Sequence, residues 1–143
     1  MHTKVATLEL ASELRVALMR LTRRLRAERP EKNVTLTQLA VLGSLERCGA
    51  MNLAQLAARE RVQPPSMTRT TAALQDLGLV TRRADPADKR HVVFELSDAG
   101  RALLHEDRRR REAWLAGQLS SLTDEERELL HAVTPLLDRL ASS

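Results

Sequence analysis

The chain has 143 residues, the usual size of one domain and enough for a hydrophobic core. It has one Trp, one Phe, no Tyr and few Gly or Pro, which favours helices over a β-sandwich or barrel. The net charge of +4 suits a polyanionic partner but is common in ordinary proteins and decides nothing alone. No apolar run approaches the roughly 20 residues of a membrane span, and no signal-peptide segment is present, so we expect a cytoplasmic protein.

A long first helix is predicted from about residue 5 to residue 28. Four leucines recur there at helical spacing and form one apolar stripe, which consists of Leu14, Leu18, Leu21 and Leu25. The segment "RPEKN" at 29–33 breaks this pattern with Pro30 and Asn33, and a second helix follows.

Two capping boxes mark the starts of the second and third helices. Thr35 is followed at the third position by Gln38, and Asn52 is followed in the same way by Gln55. Each pair can satisfy the free amides at a helix start. The third helix is short and is predicted to end near Glu60.

The stretch "QPPSMTRTTAALQDLGL" at 63–79 predicts a fourth helix. Its two prolines fall in the first turn, where the missing amide hydrogen would be unpaired anyway and the fixed φ suits helix entry. Helical spacing divides the remaining residues into two faces. The inner face has Met67, Thr70 or Thr71, Leu74 and Leu77, and the outer face has Pro65, Ser66, Thr68, Arg69 and Ala72. Because only "RVQ" separates the third and fourth helices, they predict a helix-turn-helix.

Beyond Gly78 the pattern changes to that of strands. "LVTRRA" and "RHVVFEL" are rich in Val, Leu, Thr and Phe, and "DPADK" between them is typical of a turn. We therefore predict a two-stranded β-wing with its tip at 85–90.

Two further helices are predicted at the C-terminal end. Ser97 can cap the fifth helix, and Thr123 with Glu126 forms a third capping box at the start of the sixth. The first and last helices carry leucine stripes that one helix-turn-helix and a hairpin cannot wholly cover. A second copy of the chain is a natural place to bury these stripes, and packing within the chain is the alternative.

The outer face of the fourth helix suits the major groove of DNA. That groove admits one helix and presents a distinct pattern of donors and acceptors for each base pair. Short hydroxyls and a forked arginine in the first exposed turns can meet bases or phosphates. The candidate contacts are Pro65, Ser66, Thr68 and Arg69. The alternative is that the hydroxyls near the helix start only cap it.

The wing carries a second set of candidate DNA contacts. A basic tip beside a recognition helix can reach the adjacent minor groove, whose negative potential attracts arginine. Asp88 can hold and aim Arg90 through a forked ion pair, and His91 can touch a phosphate. The full set is Arg82, Arg83, Asp88, Lys89, Arg90 and His91. A solvated turn with locally balanced charge is the alternative.

The order of these segments resembles the MarR family of bacterial winged-helix transcriptional regulators. The resemblance covers nearly the whole chain and rests on "LTQLAVLGSL", "NLAQLAARERVQPPSMTRTTAALQDLGLVTRR", "DPADKRHVVFELSDAGRALL" and "LTDEERELL". It implies one mainly α domain over residues 1–143, a winged helix-turn-helix with a two-stranded β-wing. Residues 33–96 would form the DNA-binding part, and residues 1–32 and 97–143 would form long dimerisation helices.

The resemblance also implies a homodimer with two recognition helices in successive major grooves and wing arginines in the flanking minor grooves. The positions that match the family pattern are Ser66, Thr68 and Arg69 in the recognition helix, and Asp88 and Arg90 in the wing.

The chain departs from the family pattern in the turn before the fourth helix. Arg61 stands where many family members have glycine, and Gln63 followed by two prolines stands where Ser or Thr often caps the recognition helix. The entry into this helix and the base preference therefore do not carry over from relatives.

A small effector, frequently aromatic or phenolic, is a further implication of the resemblance. It would lie in a cleft between the dimerisation helices and the winged part, and no residue pattern identifies it. By position, the candidates are Leu14, Leu18, Leu39, Leu42, Met51, Met67, Leu104 and Trp114. Membership of the hydrophobic core is the alternative for each of them.

Other chemistry finds little support. Cys48 is the only cysteine, which excludes an intrachain disulfide and a cysteine-rich zinc site. A redox role for Cys48 is a hypothesis, although the C-terminal end of a helix disfavours a thiolate. The histidines lack metal-ligand spacing, and no nucleophile motif, phosphate loop or dinucleotide motif is present. We therefore expect no metal, no cofactor and no enzymatic activity.

These observations predict a homodimeric, sequence-specific transcriptional regulator. It would bind double-stranded DNA at a pseudo-palindromic operator as a repressor that a small ligand relieves. Two alternatives stay open, a helical dimeric module that binds another protein without DNA and a nonspecific architectural DNA binder. The basic wing and the recognition helix argue against the first alternative.

Overall fold

The computed structural model describes residues 2–29 and 33–143, without the side chains of residues 2–5. Its elements in chain order are α1 (His2–Ala27), α2 (Leu36–Cys48), β1 (Met51–Asn52), α3 (Leu53–Glu60), α4 (Pro64–Asp76), β2 (Val80–Ala84), β3 (Val92–Leu96), α5 (Asp98–Ser120) and α6 (Asp124–Ala141). The predicted mainly α winged helix-turn-helix is therefore confirmed. The chain forms two compact units, a helical unit with described residues 2–29 and 110–143 and a winged unit with described residues 33–109.

All three predicted capping boxes are present, and they fix where α2, α3 and α6 begin. In each box the N-cap side chain accepts a bond of 2.8–3.1 Å from the amide three residues on. The Gln or Glu side chain at that third position accepts the N-cap amide at 2.9–3.0 Å. The pairs are Thr35 with Gln38, Asn52 with Gln55, and Thr123 with Glu126.

The helix α4 begins at Pro64, as predicted. Gln63 makes no side-chain cap bond, but its carbonyl accepts the amides of Ser66 at 3.0 Å and Met67 at 3.2 Å. The two prolines fill the first two helical positions, where they leave no unpaired amide. Backbone bonding and fixed proline φ angles therefore replace the usual side-chain cap.

The predicted inner face of α4 is confirmed at three positions and wrong at one. Met67, Thr71 and Leu74 are at most 2% exposed. Leu77, by contrast, is 48% exposed. It follows the last residue of α4, and the chain reverses at Gly78 with a φ of 73°. Helical spacing no longer governs its direction there, and Leu79 enters the core instead.

The turn between α3 and α4 contains a left-handed arginine. Arg61 has a φ of 55° and a ψ of 45°, and it is the one non-glycine residue with positive φ in the described ranges. Its amide bonds to the carbonyl of Ala58 at 3.3 Å, and the amide of Val62 bonds to the carbonyl of Ala57 at 3.0 Å. These bonds close α3 in the manner usually found with glycine.

The antiparallel sheet has one more strand than the predicted two-stranded wing. Its order is β1-β3-β2, and β1 adds the pairs Met51 with Phe94 and Asn52 with Val93. A strand of two residues is too short to show an alternating pattern. The long arm of the wing is the β2 and β3 hairpin, as the sequence predicts.

One hydrophobic core holds the winged unit together. It combines residues from α2, α3, α4, the sheet and the first half of α5, all at most 8% exposed. Its members are Val34, Leu39, Val41, Leu42, Leu45, Met51, Leu56, Ala57, Met67, Leu74, Leu79, Val80, Phe94, Leu96 and Leu104. The hydrophobic effect therefore fixes α4 and the wing to the same support.

Ser97 joins the end of the wing to α5, as its predicted role as a cap requires. Its hydroxyl accepts the amide of Gly100 at 3.0 Å and donates to the carbonyl of Gly78 at 2.7 Å. Gly100 packs so closely that an added Cβ would overlap the carbonyl oxygen of Leu79.

The helical unit has few buried side chains. Among described residues, neither α1 nor α6 contains a buried one. The guanidinium of Arg24 lies 5.4 Å from the centre of the Trp114 ring, a cation–π contact between α1 and α5. The exposed large apolar residues include Leu8, Leu10 and Met19 on α1 and Leu129, Leu136 and Leu140 on α6.

Gly100→Ala is expected to destabilise the protein by about 3 kcal/mol, because the methyl group has no room beside the Leu79 carbonyl. Gly117→Ala is the matched control, since nothing lies within 4 Å of a Cβ at that helical position. It should raise stability by up to about 1 kcal/mol. Urea unfolding followed by circular dichroism measures both changes, and equal effects would contradict the close packing at Gly100.

Candidate nucleic-acid interface

The exposed side of α4 presents the candidate recognition residues. Pro65, Thr68 and Arg69 are exposed, and Ser66 is half-buried. The Arg69 guanidinium donates to the Ser66 hydroxyl at 3.3 Å. This bond joins a forked donor to a hydroxyl within one turn of the start of the helix.

The threonine hydroxyls of α4 bond to the helix that carries them. Thr68 donates to the carbonyl of Pro64 at 3.0 Å, and Thr70 donates to the carbonyl of Ser66 at 3.0 Å. Thr71 does the same with Met67 at 2.9 Å. A hydroxyl oxygen that donates one bond still has lone pairs to accept another. The Thr68 hydroxyl can therefore donate to its own helix and also accept a hydrogen bond from an external donor.

The wing tip holds Arg90 in a fork. The Asp88 carboxylate accepts the Arg90 Nε and one terminal nitrogen, each at 3.1 Å, and also the Arg90 backbone amide at 3.1 Å. The Arg90 side chain remains 88% exposed. His91 lies 3.5 Å from the same carboxylate. Asp88 thus aims a guanidinium that stays open to a ligand.

The charge state of Asp88 follows from these bonds. The Arg90 side chain, and after it the Arg90 backbone amide, lowers the pKa of the Asp88 carboxyl from its ordinary value. A lowered pKa means that the fork is fully formed at neutral pH and is lost only as the pH falls through that pKa.

The two arginines of β2 point in different directions. Adjacent strand residues project from opposite faces of a sheet. Arg83 forms an ion pair of 2.8 Å with Glu95 on β3, whereas Arg82 lines an open cleft. Lys89 is exposed at the tip. Of the two β2 arginines, Arg83 is therefore paired with a residue of the neighbouring strand, whereas Arg82 faces the cleft.

An open cleft of about 520 Å³ lies between α4, the start of α3 and the wing. Thr68 lines it on the α4 side, and Arg82, Arg90 and His91 line it on the wing side. The structure thus brings together four of the predicted contacts from segments that are separate in the sequence. Pro65, Ser66 and Arg69 do not line the cleft and lie on the adjoining part of α4.

Sequence reasoning missed several residues of this cleft. Gln75 lines it because it is seven positions after Thr68 and shares the same helix face. That spacing could have identified Gln75. Asn52, Leu53 and Ala54 also line the cleft, and no local pattern relates the start of α3 to the wing.

The eight predicted ligand residues are divided between the two units. Leu39, Leu42, Met51, Met67 and Leu104 belong to the core of the winged unit and are at most 8% exposed. Leu14, Leu18 and Trp114 belong to the helical unit, where Leu18 is exposed and the other two are half-buried. None of the eight lines the cleft described above.

The structure also places the single cysteine and the side chains that could bind a metal. Cys48 is exposed at the end of α2. Within residues 2–29 and 33–143, no three His, Cys, Asp or Glu side chains are grouped so that they could hold a metal ion. The helices in those ranges lack the combination of length and apolar character that crossing a membrane requires.

A helix-turn-helix followed by a basic wing defines the winged-helix class of DNA-binding proteins. Residues 34–92 match a family model described as the MarR family. An HTH-type transcriptional regulator of Mycobacterium bovis is 45% identical over 128 residues, which is 90% of each chain. The HTH-type transcriptional repressor MdtR of Bacillus subtilis is 31% identical, over 82% of this chain and 79% of that protein.

A solved structure agrees with these relatives. The crystal structure of a transcriptional regulator from Pseudomonas aeruginosa has a TM-score of 0.87 and 38% identity, over 96% of this chain and 97% of that one. The chain therefore belongs to the MarR family, and it is an HTH-type transcriptional regulator that binds DNA.

Arg90→Ala is expected to raise the pKa of Asp88 but to leave it below the ordinary value of an aspartate. The substitution removes the side-chain bonds and keeps the backbone amide. The midpoint is measured by carbon-detected NMR of the carboxyl group during a pH titration. Arg83→Ala should not move it, because Arg83 pairs with Glu95. An unchanged Asp88 midpoint in Arg90→Ala would contradict the fork.

Proposed function

We propose that the protein is a homodimeric, sequence-specific repressor that binds a pseudo-palindromic operator and acts in the cytoplasm. Each copy would insert α4 into a major groove and the wing tip into the adjacent minor groove. The observation that carries the proposal is the cleft in which Thr68 of α4 faces Arg82, Arg90 and His91 of the wing. DNA lying across these two elements would meet donors on both sides.

Within α4, the roles follow from donor geometry. Arg69 has a forked donor that matches the two acceptors of a guanine edge, and its bond to Ser66 at 3.3 Å restricts its position before binding. Ser66 and Thr68 carry hydroxyls that can bond to bases or phosphates. Pro65 is exposed in the first turn and can approach the groove without a charge.

Within the wing, Arg90 would enter the minor groove while Asp88 holds it in the fork. Lys89, Arg82 and His91 would contact phosphates beside it. Arg83 would contribute positive charge while its pair with Glu95 braces the two strands.

The homodimer is supported by the apolar surface of the helical unit. Leu8 is 75% exposed on α1, and Leu129 and Leu140 are 70% and 64% exposed on α6. Leucines at this density on two helices are expected to be buried against a second copy. Two copies would also present two α4 helices to the two half-sites of a palindrome.

A small aromatic or phenolic effector would release the DNA. A solved relative with 25% identity and a TM-score of 0.69 is Bordetella bronchiseptica BpsR, whose DNA binding is regulated by 6-hydroxynicotinic acid. Leu14, Leu18 and Trp114 retain exposed surface for such a ligand. The five other predicted ligand residues fill the core, so contact with them would require that core to open.

Leu129→Glu is expected to convert the dimer into a monomer and to weaken operator binding. The residue is 70% exposed in the single chain, so the charge is tolerated unless a second copy covers it. Leu77→Glu is the matched control, because Leu77 is an exposed leucine of the winged unit. Sedimentation equilibrium gives the mass. A parent that is already monomeric would overturn the dimer.

Arg90→Ala should weaken binding to all duplexes and reduce the slope of log affinity against log salt by about 0.9 per lost phosphate contact. Arg69→Ala and Thr68→Ala should also change base preference, by about 1–3 kcal/mol per lost base contact. Arg101→Ala, an exposed arginine of α5, is the control. Fluorescence anisotropy at several salt concentrations measures each Kd.

The operator for these measurements comes from a randomised duplex library selected on the parent protein at two salt concentrations. A pseudo-palindrome with half-sites about one helical turn apart supports the repressor. Sequence-blind binding supports the architectural alternative, and no binding at either salt concentration supports the protein-interaction module.

A further inference from the structure

Arg61 occupies a backbone conformation that suits glycine. Its φ of 55° and ψ of 45° lie in the left-handed region, where a Cβ crowds the following carbonyl and glycine does not. A strained residue of this kind persists only when its surroundings hold it, and it is often found at functional sites. The conformation of Arg61 therefore indicates a position at which a function of the side chain is worth testing.

The two charged residues before Arg61 in the chain are both hydrogen-bonded to Ser44 of α2. The Glu60 carboxylate accepts the hydroxyl of buried Ser44 at 2.5 Å, and the Arg59 Nε donates to the same hydroxyl at 3.2 Å. Both side chains thus bind α3 to α2. Arg61 is exposed, and within residues 2–29 and 33–143 its side chain makes neither a hydrogen bond nor an ion pair. Its guanidinium is available to an external anion.

Arg61 lies in the turn just before the end of α4 that presents Ser66 and Arg69. Only Val62 separates it from Gln63, whose carbonyl accepts the amides of Ser66 and Met67. Val62 packs against the core, so the turn is anchored and the adjacent Arg61 is held near a fixed point. An arginine side chain is long enough to reach past one turn of helix.

We propose that Arg61 is a further DNA-binding residue, which clamps a backbone phosphate beside the major groove that α4 enters. The inference rests on the proposed function of α4. A phosphate is the expected partner because Arg61 lies in the turn outside the helix, where the groove rim passes, and a guanidinium binds phosphate oxygens through two parallel bonds.

The test compares Arg61→Gly and Arg61→Ala with the parent on the selected operator and on an unrelated duplex. Both variants should raise Kd by about tenfold, the effect of one charged hydrogen-bonding contact. The slope of log affinity against log salt should fall by about 0.9 for each phosphate contact removed. The loss should be the same on both duplexes, since phosphates are independent of sequence. Arg61→Lys should recover part of the affinity.

Thermal unfolding of the same variants separates a binding role from a structural one. Glycine relaxes the left-handed position, so Arg61→Gly should unfold at a higher temperature than Arg61→Ala. Ala102→Gly is the control. At this exposed helical position, glycine should lower the unfolding temperature relative to the parent. A variant that is as stable as the parent yet binds DNA more weakly supports the phosphate contact.

Other outcomes overturn the inference. Parent-like affinity and salt slope in Arg61→Gly would mean that the arginine does not touch DNA. A loss confined to the operator would identify a base contact in place of a phosphate contact. If the parent binds no duplex, the proposed function fails together with the inference. If the parent binds and Arg69→Ala weakens it while Arg61→Gly does not, only the inference fails.

Discussion

The outer face of α4 is available to DNA because its inner face is fixed in the core of the winged unit. Met67 and Leu74 are fully buried, and Thr71 is 2% exposed. Side chains three and four positions apart share one face of a helix, so burial of these residues obliges Thr68 and Arg69 to point outward. The same core contains Phe94 and Leu96 of β3. Hydrophobic packing therefore fixes the recognition helix and the wing against each other.

On this rigid support, the charged groups are held by short local bonds. The Asp88 carboxylate accepts hydrogen bonds from the Arg90 guanidinium and from the Arg90 backbone amide. The Ser66 hydroxyl accepts a hydrogen bond from the Arg69 guanidinium. Each of these bonds joins residues two or three positions apart, and exposed bonds of this kind contribute little to stability. Their effect is to limit the positions of long side chains, which would reduce the entropy lost in the proposed contacts with DNA.

The helical unit differs from the winged unit in how much apolar surface it leaves exposed. Its long helices leave leucines such as Leu8 and Leu129 exposed, whereas the winged unit buries most of its large apolar residues. These exposed leucines are the support for the proposed homodimer, since a second copy is the usual cover for apolar helix surface of this kind. In that proposal the DNA-binding and dimer-forming surfaces belong to separate units of the chain.

Features that depend on near neighbours can be predicted from the amino-acid sequence. The three capping boxes, the proline start of α4 and the turn of the wing each rest on residues within about four positions, and all are present. The candidate residues Thr68 and Arg90 could be selected in the same way, as exposed donors on a helix and a turn. Their common cleft could not be derived from spacing alone, because the two residues are far apart in the chain.

Contacts between distant parts of the chain follow from the three-dimensional packing and not from local spacing. The fold pairs the two-residue β1 with β3 and leaves Leu77 exposed just before the reversal at Gly78. It also pairs Arg83 with Glu95, while Arg82 and Gln75 line the cleft. It also set Arg61 in the left-handed region. These outcomes depend on how the whole core packs, and a core is a sum of contacts between residues that no local pattern relates.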